Sequence, residues 1–435
     1  MLLENMGSIM PHAYVTSRYA YYVLAVLFCV NVINLIDRQA VYILFPLIKA
    51  DLQLTDTQLG ALGALPFALF YSFMGIPLGW LADRWNRVRL ITIGLTIWSS
   101  LTVLSGMARG FWSLFAVRVG VGIGESSCAP AGQTILSDYF PRSRRSTILA
   151  AFNCGVPIGH GLGLYLGGYI AQQWGWRWTF FLLGIPGLLL ALLVATLKEP
   201  IRGQMDEPRQ SSPTDPSGTM KRFFAVLRTT SALRWHLAGM AIIGFSVNGF
   251  AVWLPTFLIR VRGMSIETAG IVAGVSAIIA GLLGTFVGGI IADRWMVRRK
   301  NARMFILFIR SILVIPFLVG IFFAAPPLLL IPLVVIGTSV SSLWFGPAAA
   351  VVHDLVQPEL RSLAVAVYVL VINVAAGVSP LLIGKFTDLS GDPLFLQYML
   401  LICPAADVFA AICHYIASRH IVTDMAARRW AVAAT

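Results

Sequence analysis

The sequence predicts an all-α polytopic membrane protein, with twelve transmembrane helices in two pseudo-symmetric six-helix bundles. Three observations lead there. Hydrophobic residues make up 58% of the 435 residues and charged residues only 12%, about half the charged share of a soluble domain. Apolar runs of about 20 residues recur along nearly the whole chain, and each can cross a hydrocarbon layer as a helix. Finally, one stretch between two such runs returns 210 residues later. It reads Gly79-Trp80-Leu81-Ala82-Asp83-Arg84-Trp85-Asn86-Arg87-Val88-Arg89 first and Gly289-Ile290-Ile291-Ala292-Asp293-Arg294-Trp295-Met296-Val297-Arg298-Arg299 second. Gly, Ala, Asp, Arg and Trp recur in the same order, so the chain is two versions of one half.

The elements follow in order. Span 1 is expected from about Tyr19 to Leu47 and contains Asn31, Asn34, Asp37 and Arg38. Span 2 is expected from about Thr57 to Ala82, with Gly60, Gly63, Gly75 and Gly79 as small packing residues. Span 3 covers about Val88 to Met107. Span 4 runs from about Phe111 to Asp138 as one helix, span 5 from Pro141 to about Gln172, and span 6 from Trp176-Arg177-Trp178 to just before Lys198-Glu199-Pro200. Residues 198–233 change character. Their start is polar and rich in Pro, Ser and charge, which reads as a flexible linker. Met220 to Leu233 alternates basic and apolar residues and fits a short interfacial helix. Spans 7 to 12 then fall near 235–259, 266–292, 303–323, 327–354, 360–386 and 394–418. The domains are therefore 1–197, the linker 198–233, and 234–435. Pro141 and Arg144 before span 5 have counterparts in Pro358 and Arg361 before span 11, which supports the six-plus-six count.

Charge sets orientation. With an even number of spans and both termini on one side, that side holds 23 of the 32 Lys and Arg residues. The other holds six (Lys49, Arg109, Arg177, Arg260, Arg262, Lys385), and Arg38, Arg118 and Arg310 lie within spans. Positive loops face the cytoplasm, so both termini are expected inside. The net charge of +13 is thus a topology signal and no evidence for nucleic acid. Cys29, Cys128, Cys154, Cys403 and Cys413 fall in apolar runs without metal spacing and read as small hydrophobes. Residues 1–18 carry no apolar signal core. The absence of a glycosylation sequon points to a bacterial inner membrane. There is no P-loop, no metal-ligand spacing and no nucleophile elbow, so no enzyme is expected.

Ionisable residues inside a bilayer cost about 2.5–3.5 kcal/mol each, so each needs a partner or a task. Arg118 and Glu125 are seven apart on span 4, about 10 Å along one face. Counted from the helix ends, Asp37 and Arg118 lie at similar depth, within a few Å (about 15 and 12 Å from the outer side). Span 1 offers an acid and span 4 a base at one level, with Glu125 deeper. This pattern suits coupled transport: a buried carboxylate that loses its counter-charge takes a proton, and releases it when the Arg returns. Asp37 is the expected main proton site, Glu125 shares Arg118, and Arg118 also holds an anionic headgroup. A static ion pair joining spans 1 and 4 is the alternative. Arg38, about 100° round the helix, faces the rim or span 2. Arg310 and Asp407 read as a structural pair, or Arg310 as snorkelling to the membrane surface. His160 lies among glycines and Pro157, where close packing and a bend are expected, and either packs or titrates in a cavity. His414, Trp295 and Trp430 read as membrane-interface residues. Asn153, Asn248, Trp253, Ser342, Trp344 and Asn373 are candidates to line a mixed polar and aromatic cavity, each also able to act as helix glue. In the repeated stretch, Gly79, Asp83, Arg84 and Arg87, with Gly289, Asp293, Arg294 and Arg298, form a candidate conformational lock, since an Arg fork can clamp a carboxylate in one state and release it in another.

The repeated stretch resembles the loop between helices 2 and 3 of major facilitator superfamily transporters. Ile36-Asp37-Arg38-Gln39 and Arg118-Val119-Gly120-Val121-Gly122-Ile123-Gly124-Glu125-Ser126 resemble the Spinster branch, as do Pro157 to Gly163 and Ser379-Pro380 to Asp388. Residue 35 is Leu where that branch often has Tyr. The resemblance implies a proton-dependent carrier of lysophospholipid-like or sphingoid-phosphate-like molecules, with Asp37, Arg118 and Glu125 carried over by motif. Function is therefore expected to be proton-coupled, alternating-access transport of an amphipathic, anionic, lipid-like molecule. Organic-anion or sugar-acid symport and a non-transporting membrane sensor are the alternatives. The expected partners are substrate and membrane lipids, the protein a monomer, and the only coupling cofactor the proton.

Overall fold

The computed structural model describes residues 17–205, 216–323, 326–357 and 360–433. The N-terminal tail, most of the polar linker and Pro358 lie outside the described residues. All described regular structure is helical. Eleven helices are long and apolar enough to cross a membrane: Arg18–Leu52, Asp56–Arg84, Arg87–Ser105, Arg142–Trp174, Trp176–Ala195, Ser231–Arg260, Ile266–Met296, Ala302–Phe323, Leu328–Leu355, Leu363–Ser390 and Pro393–Ala427. They are spans 1–3 and 5–12.

Span 4 completes the twelve but is not one helix. It is built from Phe111–Glu125 and Cys128–Tyr139, joined at Ser126-Ser127. Pro130 explains the break, because a proline ring collides with the carbonyl four residues earlier, here that of Ser126. The Ser126 and Ser127 hydroxyls donate instead to the carbonyls of Ile123 and Gly124, both at 2.8 Å. Span 5 repeats the device: Pro157 stands four residues after Asn153, and the helix is interrupted at Cys154. Spans 2 and 8 each carry a π-helical turn, Pro66–Tyr71 and Ala280–Gly284, at related places in the two halves.

The linker differs from expectation in two ways. Its helix is Pro216–Thr229, and span 7 begins at Ser231 because the Asp424 carboxylate of span 12 accepts from the Ala232 amide at 2.8 Å. Such a cap from a distant helix leaves no local signal. Residues 198–204, of which 201–204 open the stretch expected to be flexible (201–218), are tied into the first bundle by hydrogen bonds described below.

The cores explain the overall shape. On the face opposite the linker, one core runs through both bundles and includes Phe45, Leu59, Leu164, Trp253, Phe257, Ile266 and Ile383. Toward the linker face the core divides, with one cluster wholly in the first bundle and another in the second bundle, together with Phe223 of the linker helix and with Ala232 and Leu233, expected in the linker and found at the start of span 7. Glycines set the approach at the shared end. A Cβ on Gly60 would sit 2.3 Å from the Pro380 carbonyl oxygen, and one on Gly161 2.4 Å from that of Gly274. At the linker face, a Cβ on Gly79 or Gly289 would have nothing within 4 Å. The bundles are closed on one face and splayed on the other.

Candidate transport site

Two bundles closed at one end leave a cleft, and the buried charges stand beside it. Asp37, Arg118 and Glu125 are each at most 1% exposed. Arg118 Nη1 donates to the Asp37 carbonyl at 3.1 Å and Nη2 to the Arg38 carbonyl at 3.4 Å, so spans 1 and 4 meet at the expected level. The Asp37 carboxylate accepts from Thr102 Oγ1 at 3.3 Å. Glu125 Oε2 accepts from Arg38 Nη2 at 2.7 Å and Nε at 3.2 Å. Arg38 thus turns from the rim, one of its two expected directions, and is the described hydrogen-bond donor to Glu125, with Arg118 within electrostatic range of the same carboxylate. Helical side chains lean toward their N-terminus, and for Arg38 that direction leads toward the deeper Glu125. Its guanidinium also covers the Tyr71 ring at 4.7 Å. Asp37 Oδ1 and Glu125 Oε1 are buried and have no hydrogen-bond partner among the described residues.

A cavity of about 660 Å3 lies between the bundles, walled by spans 1, 5, 7, 8 and 10. Of the predicted lining residues, Asn153, His160, Asn248 and Ser342 are in its wall. Asn248 Nδ2 is already committed to the Ala376 carbonyl at 2.7 Å. Arg38, Arg118, Trp253, Trp344 and Asn373 are not in the wall. The Trp253 indole donates to the Pro380 carbonyl at 3.0 Å and meets Phe45 edge-on at 5.7 Å, sealing the closed face. Trp344 stacks on Phe345 at 4.1 Å and belongs to the core of the second bundle. Both are large aromatics whose burial outweighs display. Gln39 and Tyr42 line the cavity and escaped the sequence reading, although Gln39 follows the Asp37-Arg38 pair directly. No Asp, Glu, Lys or Arg is among the described wall residues.

At the linker face, the eight lock positions have all their described partners within their own bundle. Arg87 is 3% exposed and binds Asp138 Oδ2 at 2.5 Å and Glu199 Oε1 at 2.6 Å. Glu199 also accepts from the Val88 amide at 3.0 Å. Arg202 donates to the Ala82 and Trp85 carbonyls at 2.9 and 2.5 Å and to that of Asp83, covering the last turn of span 2. Gly203 and Gln204 bind Asp138. Arg84 stacks over Trp80 at 4.1 Å. In the second half, Arg303 binds Asp293 at 3.5 Å and also Asp354, while the Arg298 amide donates to the Trp295 carbonyl.

The closed face carries an ion network that sequence reasoning missed. Asp56, 1% exposed, accepts both Arg260 terminal nitrogens at 2.8 Å and Lys49 Nζ at 2.8 Å. Asp388 in turn accepts from the Asp56 and Thr57 amides at 2.9 and 2.7 Å and from the Thr57 hydroxyl at 2.6 Å. Spans 1, 2, 7 and 11 are thereby joined across the two bundles. Lys49 and Arg260 had been counted only as topology charges.

Arg310 and Asp407 form the expected buried pair, with Ser246 donating to Asp407 at 2.6 Å and Arg310 donating to Ser341 Oγ at 2.8 Å. His414 is fully buried against His236, ring centroids 5.7 Å apart, which corrects its reading as an interface residue. The glycine at 239 makes room for that imidazole. All five cysteines are free.

The sequence model of the Major Facilitator Superfamily matches residues 27–413. The chain belongs to this superfamily. Its relatives place it on the Spinster branch. It is 30% identical to an MFS-type efflux pump of Mycolicibacterium smegmatis over 94% of this chain and 95% of that one. Identity to protein spinster homolog 3 of Danio rerio is 28%, over 94% of this chain and 87% of the relative. The crystal structure of a bacterial homolog of the human lysosomal transporter Spinster, inward-facing and unoccupied, superposes with a TM-score of 0.81. That match has 27% identity and covers 93% of this chain and 98% of the other. The superfamily member described here is a multi-pass membrane transporter of a small molecule and not an enzyme.

Proposed function

We propose that this transporter moves an amphipathic, anionic, lipid-like molecule together with protons by alternating access. The observation that carries the reading is the charge balance of the buried cluster. Asp37 and Glu125 with Arg38 and Arg118 sum to zero when both acids are ionised. One bound proton leaves the cluster with a surplus positive charge beside the cavity, and an anionic headgroup restores the balance. The partnerless oxygens Asp37 Oδ1 and Glu125 Oε1 are open positions for that proton. The wall supplies the other half of the argument: largely apolar, it suits a long hydrocarbon body better than a compact sugar acid. The linker face is read as cytoplasmic from its Lys and Arg excess, the membrane as the bacterial inner membrane, and the protein as a monomer. The splayed linker face then makes this an inward-open state.

The test is proton uptake by purified protein in liposomes under an imposed pH gradient, with lysophospholipids and organic acids offered in turn. Ligand-dependent flux falls about tenfold or more, equivalent to at least about 1.4 kcal/mol, in Asp37→Asn and in Glu125→Gln. Flux that survives both substitutions would reduce the cluster to a structural ion pair. Flux with organic acids alone would favour the sugar-acid reading.

A further inference from the structure

The two walls of the cavity are chemically unlike. On the first bundle, Gln39, Asn153 and His160 present side chains that hold no hydrogen bond to a described residue. His160 lies within electrostatic range of Arg38, and Gln39 is the next residue after it on span 1. On the second bundle each polar side chain already makes a hydrogen bond within the protein, Asn248 to the Ala376 carbonyl among them. Thr338 and Ser342 donate to helix carbonyls, and Ser341 Oγ accepts from Arg310. The rest of that wall is Phe250, Leu254, Ala277, Leu282, Phe286, Phe345 and similar residues. A buried polar group on a ligand needs a free partner, whereas a hydrocarbon chain needs only area. Polar side chains with no described hydrogen bond line one wall only.

We infer that the substrate lies across the cavity with its headgroup on Gln39, Asn153 and His160 and its chain on spans 7, 8 and 10. The ligand class is a single-chain amphipath with a phosphate or carboxylate head. This rests on the function proposed above and adds the pose. It also gives the coupling a contact: the headgroup sits next to Arg38, the residue that holds Glu125, so head binding and the proton cluster share one turn of span 1. Gln39 and Asn153 are then specificity-determining residues for the head, and the second-bundle wall reads chain length.

Two photoreactive lysophosphatidates test this, one with a diazirine at the chain terminus and one with it beside the head, on full-length protein in nanodiscs. The chain probe is expected to label 247–254, 273–286 or 338–346, and the head probe 39, 153 or 160, both displaced by unlabelled lysophosphatidate. Binding of a chain-length series gives the second readout. Gln39→Ala and Asn153→Ala weaken every member by a similar factor, while Ala277→Phe removes the gain per added methylene pair, up to about tenfold in wild type. A parallel series of fatty carboxylates separates phosphate from carboxylate heads. Reversed labelling, with displacement intact, overturns the pose alone. If unlabelled lysophosphatidate displaces neither probe and no carboxylate does, the amphipath reading itself fails.

Discussion

At the scale of single residues, the centre of interest is Arg38. The sequence directs it to the rim or span 2, and it contacts both the Tyr71 ring of span 2 and the Glu125 carboxylate of span 4. A seven-residue spacing on span 4 made Arg118 the obvious partner for Glu125, because both face the same way. Arg38 wins because a long side chain on span 1 leans toward the linker face and reaches Glu125 at 2.7 Å. The pair is largely buried, so removing one member leaves an uncompensated charge. Arg38→Ala is expected to destabilise the protein by about 3–5 kcal/mol. Thermal unfolding in detergent checks this, and adding Glu125→Gln should recover most of the loss. Equal loss in the single and double variants would mean the pair is not the reason. Asp37, Arg118 and Glu125 were legible in sequence because intramembrane charges are rare. Gln39 was not, because an amide in a span has no such distinction.

Among the elements, prolines and glycines decide geometry. Pro130 and Pro157 break spans 4 and 5 four residues upstream, at Ser126 and Asn153-Cys154. One break adjoins Glu125 and the other adjoins Asn153, so both place site residues at a helix joint rather than in a regular turn. Gly161 and Gly274 let spans 5 and 8 touch backbone to backbone. Gly161→Val puts atoms about where the Gly274 carbonyl stands and is expected to cost about 1–3 kcal/mol of overpacking, read as a lowered thermal midpoint and lost transport. The Asp56 network holds spans 1, 2, 7 and 11 together on the closed face. Asp388→Asn or Arg260→Ala should favour opening there. An Ala61→Cys reporter in a cysteine-free background would then label faster by roughly 5- to 150-fold, the range of a 1–3 kcal/mol coupling. An unchanged labelling rate in both variants would remove the network from the gating step.

For the whole molecule, the division of the core is the mechanical statement. A core shared at one face and separate at the other allows the bundles to rock about the closed end. Gly79 and Gly289 are open on the linker face here. Spin labels at Trp80→Cys and Ile290→Cys, both exposed positions, report that motion. Adding Asp388→Asn should raise the population of short distances between them, since weakening one face shifts the equilibrium toward closure of the other. A distance distribution indifferent to the closed-face network would contradict coupled rocking. Arg202 and Glu199 fasten the start of the linker to the end of span 2 and to Arg87, so the first bundle moves with that part of the linker as one piece.

Twelve crossings, the two-fold repeat, the loop stretches and the three rare charges Asp37, Arg118 and Glu125 were all readable from the chain alone. The reason is that a bilayer forces local sequence to declare itself: apolar length, charge at the ends, and an exceptional cost for any ion between them. Partner choice was not readable. Arg38 with Glu125, Arg260 and Lys49 with Asp56, Asp388 with the start of span 2, and Asp424 with the start of span 7 join residues separated by 7 to 332 positions. These pairs depend on which helix faces meet and in which conformational state, and helix rotation and bundle tilt come from packing summed over the whole fold.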